Sequence, residues 1–276
     1  MKILVPTDFS ECADYALDFA IQLVKLNGGS ICLFHAASLS EDLPGINDDS
    51  HLLERVKEAV SVRLLEKFDQ TLARFEGQNL DISTKLVFGD YLDSVLAFDE
   101  SQNFDLMVVG SYGASGKREW FIGSNTQKLV RKAGKNIFVI KNPVQSLQFD
   151  KVLFPSSLTK EDEKAFLHFL ELIEPFGVKE VHILAINTSG WFNQPGPLML
   201  ELLKDFKSLV KQYECKTHFY ADYSVEAGIR HFSEEHGIKM IGISNMVSSP
   251  VKRLFQGSNV EMLVNHSDLP VLAIHF

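Results

Sequence analysis

The chain contains the same pattern of strands and helices twice. Short apolar runs alternate with amphipathic stretches through its 276 residues, and the run at 2–7, KILVPT, returns at 151–156 as KVLFPS. Apolar strands without polar alternation, separated by helices, are typical of parallel sheets that helices cover on both faces. The sequence therefore predicts an α/β protein of two tandem doubly wound domains, 1–143 and 149–276, with Pro143 and polar residues between them.

The first half carries the clearer set of elements. Apolar runs bounded by Pro, Gly and polar residues mark strands, and apolar residues at three- and four-residue spacing mark helices. The predicted strands are 3–5, 31–35, 81–88, 105–109 and 137–140. The predicted helices are 11–26, 53–68, 92–100 and 125–132. Gly28-Gly29 is predicted to end the first of them, and Asp90 to cap the third. The polar segment 38–50 is predicted to be a loop.

A glycine-rich segment follows the fourth predicted strand. Its spacing is Gly110-x2-Gly113-x9-Gly123-Ser124, and the fourth predicted helix starts directly after it. Gly lets main-chain N–H groups approach an anion closely, and a helix start adds N–H groups without partners and the positive end of its dipole. The segment is therefore predicted to bind a phosphate chain, and a plain connecting loop is the alternative.

In this spacing, and in Pro6-Thr7-Asp8 after the first strand, the chain resembles the universal stress protein family, once in each half. The family's ATP-binding members carry G-x2-G-x9-G-[ST]. The resemblance implies open five-stranded parallel sheets of strand order 3-2-1-4-5, and ATP, with or without Mg²⁺, at the carboxyl ends of the strands. The residues that it assigns to this site are Pro6, Thr7, Asp8, Ala36, Gly110, Gly113, Gly123, Ser124, Asn125 and Thr126.

The resemblance also implies a role for each part of this set. Asp8 would face the nucleoside, the main chain near Ala36 would meet the adenine, and the residues from Gly110 to Thr126 would hold the phosphates. Capping of the first helix is the alternative for Asp8, and capping of the fourth helix is compatible with phosphate binding by Ser124. His35, beside the same strand ends, is interpreted as a structural histidine.

The second half departs from the motif. Gly242 is taken as the counterpart of Gly110, Asn245 as that of Gly113, and Ser157 as that of Asp8. In this pairing the interval from Gly242 to Gly257 is two residues longer than that from Gly110 to Gly123. The interpretation is one competent nucleotide site, in the first half, and one degenerate half.

Composition narrows the remaining classes of function. A net charge of −9 argues against nucleic-acid binding, and the three cysteines have neither disulfide-framework nor metal-site spacing. No apolar run reaches membrane-spanning length, and no signal peptide is recognised, so a cytoplasmic protein without a membrane partner is predicted.

No catalytic residue and no metal ligand is assigned. The glycine segment does not match G-x4-G-K-[ST], and neither G-x-S-x-G nor H-E-x-x-H occurs. A non-nucleotide-binding interaction scaffold and an adenine-nucleotide enzyme, by adenylyl transfer or slow ATP hydrolysis, remain as alternatives. The resemblance also implies pairing through the strands 137–140 and 271–274, as an intrachain pseudo-dimer, with a homodimer left open.

Overall fold

The computed structural model describes residues 1–38, 50–111, 124–188, 196–245 and 267–275. By its contacts the chain divides into two compact units, Met1–Gly110 and Ser111–Phe276. Within the described residues, no helix combines the length and the hydropathy that a bilayer crossing requires.

Unit 1 is a parallel sheet with helices. Its strands are β1 (Lys2–Pro6), β2 (Ser30–Ala37), β3 (Asp81–Phe88) and β4 (Leu106–Gly110). They lie in the order β3-β2-β1-β4, and the neighbouring strands are parallel. Its helices are α1 (Glu11–Asn27), α2 (Ser50–Leu72) and α3 (Tyr91–Gln102), and a short 3₁₀ turn at Ala73–Phe75 follows α2.

Side chains at the strand-to-helix turns of unit 1 define where its helices begin. Ser10 caps α1 by accepting a hydrogen bond from the Ala13 amide, and Asp90 caps α3 by accepting one from the Asp93 amide. At the other end of α1, Gly28 adopts a φ of 70°, which a residue with a Cβ rarely adopts. The Asp90 cap and the stop after α1 are as the sequence predicts.

Unit 2 contains the last helix and strand of the first repeat and all described elements of the second. Its strands are β5 (Ile137–Ile140), β6 (Lys151–Pro155), β7 (Glu180–Asn187), β8 (Glu214–Ala221), β9 (Met240–Ser244) and β10 (Val271–Ile274). Its helices are α4 (Ser124–Lys132), α5 (Lys160–Leu172), α6 (Gly196–Leu209) and α7 (Val225–His236), with a 3₁₀ turn at Glu174–Phe176.

The strands of unit 2 lie in the order β5-β10-β9-β6-β7-β8. The sheet is parallel except that β5 runs antiparallel to β10, where Phe138 lies opposite Leu272. Counted within the second repeat, β8-β7-β6-β9-β10 is the order 3-2-1-4-5. The predicted doubly wound α/β fold is therefore confirmed. The domain limits 1–143 and 149–276 stay a prediction, since β5 groups with unit 2 through its pairing with β10.

The turn after the first strand of each repeat has the same structure. Thr7 Oγ1 accepts a hydrogen bond from the Phe9 amide at 2.9 Å, and Ser156 Oγ accepts one from the Leu158 amide at 2.8 Å. Phe9 and Leu158 have φ angles of 61° and 59°, in the left-handed region that such residues rarely adopt. A shared unusual backbone conformation is a structural trace of the duplication seen in the sequence.

The register of the strands corrects the pairing of the two glycine segments. Ile3 lies opposite Leu106, and its counterpart Val152 lies opposite Met240. Counting along both strands, Gly110 therefore corresponds to Ser244 and not to Gly242. Asn245 corresponds to Ser111, because both amides donate to the last residue of the fifth strand of their repeat. The Ser111 amide donates to the Ile140 carbonyl at 3.0 Å, and the Asn245 amide donates to the Ile274 carbonyl at 2.9 Å.

The pairing of Gly242 with Gly110 was wrong because the two glycines have different structural roles. A Cβ on Gly242 would collide with the ring of Phe169, so this glycine serves helix–sheet packing. In the corrected pairing, the interval from Ser244 to Gly257 equals that from Gly110 to Gly123, and Val247 takes the place of Gly113. The second repeat therefore keeps the loop length and lacks the first two glycines.

Candidate functional site

The ends of three adjacent strands of unit 1 carry predicted site residues. Asp8 follows β1, Ala36 lies near the end of β2, and Gly110 ends β4. Because β2, β1 and β4 are parallel neighbours, these residues lie at the same carboxyl edge of the sheet. In doubly wound sheets this edge, where the winding reverses at the first strand, is the usual position of a ligand.

Thr7 fixes the turn that presents Asp8. Its side chain is buried, at 4% exposure. Its amide donates to the Phe34 carbonyl at 2.8 Å, and this hydrogen bond continues the pairing of β1 with β2 into the turn. Its carbonyl accepts from His35 Nδ1 at 2.7 Å, and burial lowers the pKa of His35 although this bond opposes the shift. His35 thus holds the turn in place, as expected for a structural histidine.

Asp8 is exposed and does not cap α1. Its Oδ1 accepts a hydrogen bond from the Ser10 amide at 3.0 Å, and Ser10 itself is the cap residue. This excludes the alternative role as helix cap. Among the described residues, no donor reaches the second carboxylate oxygen, Oδ2, so a ligand can use it as an acceptor.

The main chain of Ala36 faces the space beyond the end of β1. The pairing of β2 with β1 ends at Phe34, opposite Pro6, and the Phe34 carbonyl points to the β1 side. Alternate residues of a strand direct their N–H and C=O groups to the same neighbour, so those of Ala36 point to that side as well. The Ala37 carbonyl, on the β3 side, accepts from the Gly89 amide at 3.0 Å.

Gly110 has a packing role that does not depend on any ligand. A Cβ at this position would collide with the main chain of Cys12 and Ala13 in the first turn of α1. The end of β4 and the start of α1 therefore meet at the carboxyl edge with no room for a side chain. Gly110 is a requirement of the fold as well as an element of the motif.

We expect Gly110→Ala to destabilise the chain by about 2 kcal/mol, because the backbone contacts of α1 leave no space for the added methyl group. Urea denaturation measures this change. Gly134→Ala is the matched control, since among the described residues a Cβ there would meet only the His275 ring, at 3.6 Å. Equal stabilities for the two variants would contradict the packing role.

Tyr91 is a residue of this edge that sequence reasoning missed. It is the first residue of α3, and burial, followed by the negative charge of Asp8, raises its pKa well above the usual value. The phenol therefore stays protonated near the carboxylate. The available signal was its place beside the predicted cap Asp90, after the end of the third strand.

The remaining predicted residues fall outside unit 1 or outside the described residues. Gly113 and Gly123 lie outside the described residues. Ser124, Asn125 and Thr126 form the start of α4 in unit 2, where Asn125 is exposed and Thr126 is 7% exposed. Within the described residues, no group of three or more His, Cys, Asp or Glu side chains is arranged to hold a metal ion.

The second repeat places a carboxylate of its own at the turn that corresponds to 7–9. Asp162 Oδ2 accepts from the Ser157 amide at 2.8 Å and from Ser156 Oγ at 3.0 Å. Burial raises the pKa of Asp162, and these hydrogen bonds oppose the shift. The first repeat has Ala13 at this position, so its turn contains no such internal acceptor.

A family model, sequence relatives and a solved structure all point to the same protein family. The sequence model of the Universal stress protein family matches residues 1–141. A universal stress protein of Methanocaldococcus jannaschii is 25% identical over 152 residues, which is 51% of this chain and 94% of the relative. One of Synechocystis is 22% identical over 293 residues, with 98% of both chains covered. The crystal structure of a universal stress protein from Archaeoglobus fulgidus has a TM-score of 0.70 at 19% identity, and covers 99% of this chain and 98% of its own.

Proposed function

Because the chain belongs to the universal stress protein family, we propose that its first repeat binds ATP at the carboxyl edge of the unit 1 sheet. The observation that carries the proposal is a pair of recognition groups beyond the end of β1 that bind no partner among the described residues. These are the Asp8 Oδ2 atom and the main-chain groups of Ala36. The complete glycine spacing after β4 adds a phosphate-binding segment to them.

Each part of the nucleotide has a matching group. A carboxylate that accepts without donating fits the ribose hydroxyls, so we assign them to Asp8. An adenine edge presents one donor and one acceptor, which the C=O and N–H of Ala36 complement. The phosphates are assigned to the main chain at Gly110, Gly113 and Gly123 and to the residues 124–126 that start α4.

The residues assigned to the nucleotide include few groups that could also coordinate a metal ion. Mg²⁺ in nucleotide sites is held by phosphate oxygens, waters and one or two carboxylates. Asp8 is a carboxylate at this edge whose Oδ2 accepts from no donor among the described residues. Mg²⁺ would therefore enter with the triphosphate, as its counter-ion. The assigned residues bind and orient the nucleotide, and we give none of them a role in hydrolysis.

We propose that the second repeat lacks a nucleotide site. Ser157 replaces Asp8, and the carboxylate of Asp162 already bonds its amide. Ser244 and Val247 replace the first two glycines of the motif, so the approach of a phosphate chain to the main chain is lost. We also propose that the antiparallel pairing of β5 with β10 is the intrachain counterpart of a dimer contact between two single-repeat chains.

The assignment of Asp8 is tested by a double-variant cycle with a modified nucleotide. We expect Asp8→Asn to weaken ATP binding about tenfold, because a hydrogen bond between a charged acceptor and a ribose hydroxyl is lost. The variant and the wild-type protein should bind 2′- or 3′-deoxy-ATP with more similar affinities, since one of these nucleotides lacks the hydroxyl that Asp8 contacts.

Asp81→Asn is the matched control for this experiment. Asp81 is an exposed aspartate at the start of β3, so it lies at the amino edge of the same sheet. Its replacement should leave the ATP affinity unchanged. An Asp8→Asn variant with wild-type affinity, or effects that simply add with both deoxynucleotides, would refute the contact between Asp8 and the ribose.

A further inference from the structure

Unit 2 contains a partly buried chain of hydrogen-bonded side chains that the nucleotide proposal does not use. His182 in β7 is 1% exposed, and its Nδ1 lies 3.1 Å from Nε2 of His218 in β8. Its Nε2 lies 3.2 Å from Oε2 of Glu180, which also accepts from Lys216 Nζ at 2.8 Å. The two imidazole planes are nearly parallel, at an angle of 6°, and their centroids are 5.1 Å apart.

The carboxylate determines where the protons are in this chain. An ionised Glu180 only accepts, so Nε2 of His182 carries a proton, and in a neutral ring its Nδ1 must be an acceptor. His218 therefore donates through Nε2. Both imidazoles are neutral in this arrangement. His218 Nε2 donates to His182 Nδ1, and His182 Nε2 donates to Glu180.

The groups that surround the two imidazoles oppose a further positive charge. Lys151 from β6 approaches Glu180 at 4.0 Å, and Lys216 from β8 binds both Glu180 and Glu214. From α7, the ring of His236 lies 5.3 Å from that of His218 and 6.0 Å from that of His182, between centroids. Glu180 is thus already shared by cations before an imidazole takes up a proton.

One face of α7 rests on these imidazoles. The ring of Phe232 is stacked on His236 at 3.9 Å and lies 4.6 Å from His218 and 5.9 Å from His182, between centroids. His236 Nδ1 bonds the Phe232 carbonyl at 3.1 Å, and Lys151 Nζ donates to the His236 carbonyl at 3.4 Å. A change of charge in the imidazole pair therefore acts directly on the contact between α7 and the strands.

We propose that Glu180, His182, His218 and His236 form an acid-sensing site, in which proton uptake by the imidazole pair weakens the packing of α7 on β7 and β8. A proton on His182 makes both of its nitrogens donors, so His218 Nε2 must give up its own proton or the bond between the rings is lost. A second proton places two imidazolium rings side by side. This inference does not depend on nucleotide binding.

The direction of the pH effect follows from proton linkage. Burial lowers the pKa of His182, although the hydrogen bond and the charge of Glu180 oppose this shift. Burial also lowers the pKa of His218 to about 4, together with the neighbouring imidazoles and Lys216. The unfolded or opened state, with a histidine pKa of ~6.5, binds more protons than the closed state. The closed state therefore keeps its full stability above that value and loses it as the pH falls from there towards about 4.

Hydrogen exchange of the full chain tests the proposal. After correction for intrinsic rates, we expect the protection of α7 amides to fall at least about tenfold between about pH 7.5 and about pH 5.0, because one or more protons are taken up on opening. His218→Gln keeps a donor for His182 and removes one titrating group, so the loss of protection at low pH should become clearly smaller. His168→Gln is the matched control, since His168 lies on α5 beside Glu171 and outside the cluster.

Equal protection of α7 at both pH values in the wild-type protein would overturn the proposal, and so would an unchanged pH dependence in His218→Gln. If His218→Gln does not fold, an NMR titration of the histidine ring signals in the wild-type chain decides. Ring signals assigned to His182 and His218 that both titrate well below the ordinary histidine range support the site. Titration of both at the ordinary value contradicts it.

Discussion

Replacing Gly113 by Val is expected to weaken ATP binding at least about hundredfold, because two charge-assisted hydrogen bonds to phosphate are worth roughly 3 kcal/mol together. A branched side chain at the second motif position would keep the phosphates from the main-chain N–H groups. Gly113 lies outside the described residues, so this expectation rests on the motif spacing. Calorimetric titration of the variant with ATP measures the loss.

Gly116→Val is the control that makes this experiment specific to the motif. Gly116 lies in the same segment, between the second and third motif glycines, and has no place in the spacing. We expect its replacement to change the affinity far less than that of Gly113. Similar losses in both variants would mean that the segment tolerates no β-branched residue, and the assignment of Gly113 would fail.

The second large effect is expected in the second repeat, where Gly242→Ala should destabilise the protein by about 3 kcal/mol. The added methyl group would overlap the ring of Phe169, which is fully buried and packs against Phe154 at 5.4 Å between ring centroids. Because the Phe169 side chain is fully buried, its ring can move aside only by displacing its neighbours. The free energy of unfolding in urea reports the change.

A second substitution distinguishes a clash of the added methyl group with the Phe169 ring from destabilisation by any change in β9. Phe169→Leu removes the ring atoms that the new methyl group meets, so the double variant should lose less stability than the two single variants together. Strict additivity would show that Gly242 is required for another reason. The packing role given to Gly242 would then fail, while the strand register that pairs Gly110 with Ser244 would stand.

The sequence predicts the elements of the fold well because each is specified locally. β3 and β5 have the predicted bounds, and the caps at Asp90 and Gly28 are where the pattern places them. The pairing of Gly242 with Gly110 failed because similarity between short apolar runs does not determine register. Register depends on which residues lie opposite each other, and Val152 opposite Met240 was not visible in the chain.

The sequence predicts those residues of the candidate site that directly follow a strand. Asp8 and Gly110 follow apolar runs, so parallel strands bring them to one edge without further information. Tyr91 was missed because its approach to Asp8 depends on the position of α3. The role of Asp162 was missed for a similar reason, since its carboxylate turns back to Ser157 across the start of α5.

The imidazole chain was beyond sequence reasoning altogether. His182 and His218 are 36 residues apart, and the pairing of β7 with β8 brings them together. In the sequence they are two scattered histidines among nine. Their tautomers follow only from the position of Glu180, which is two residues from His182 and on the same face of the strand.

The stoichiometry of ATP binding by the full chain tests the central claim most directly. Calorimetric titration should give about one ATP per chain, because only the first repeat combines the free carboxylate of Asp8 with the three glycines of the motif. Absence of binding would contradict the proposed function. About two ATP per chain would contradict the loss of the site in the second repeat.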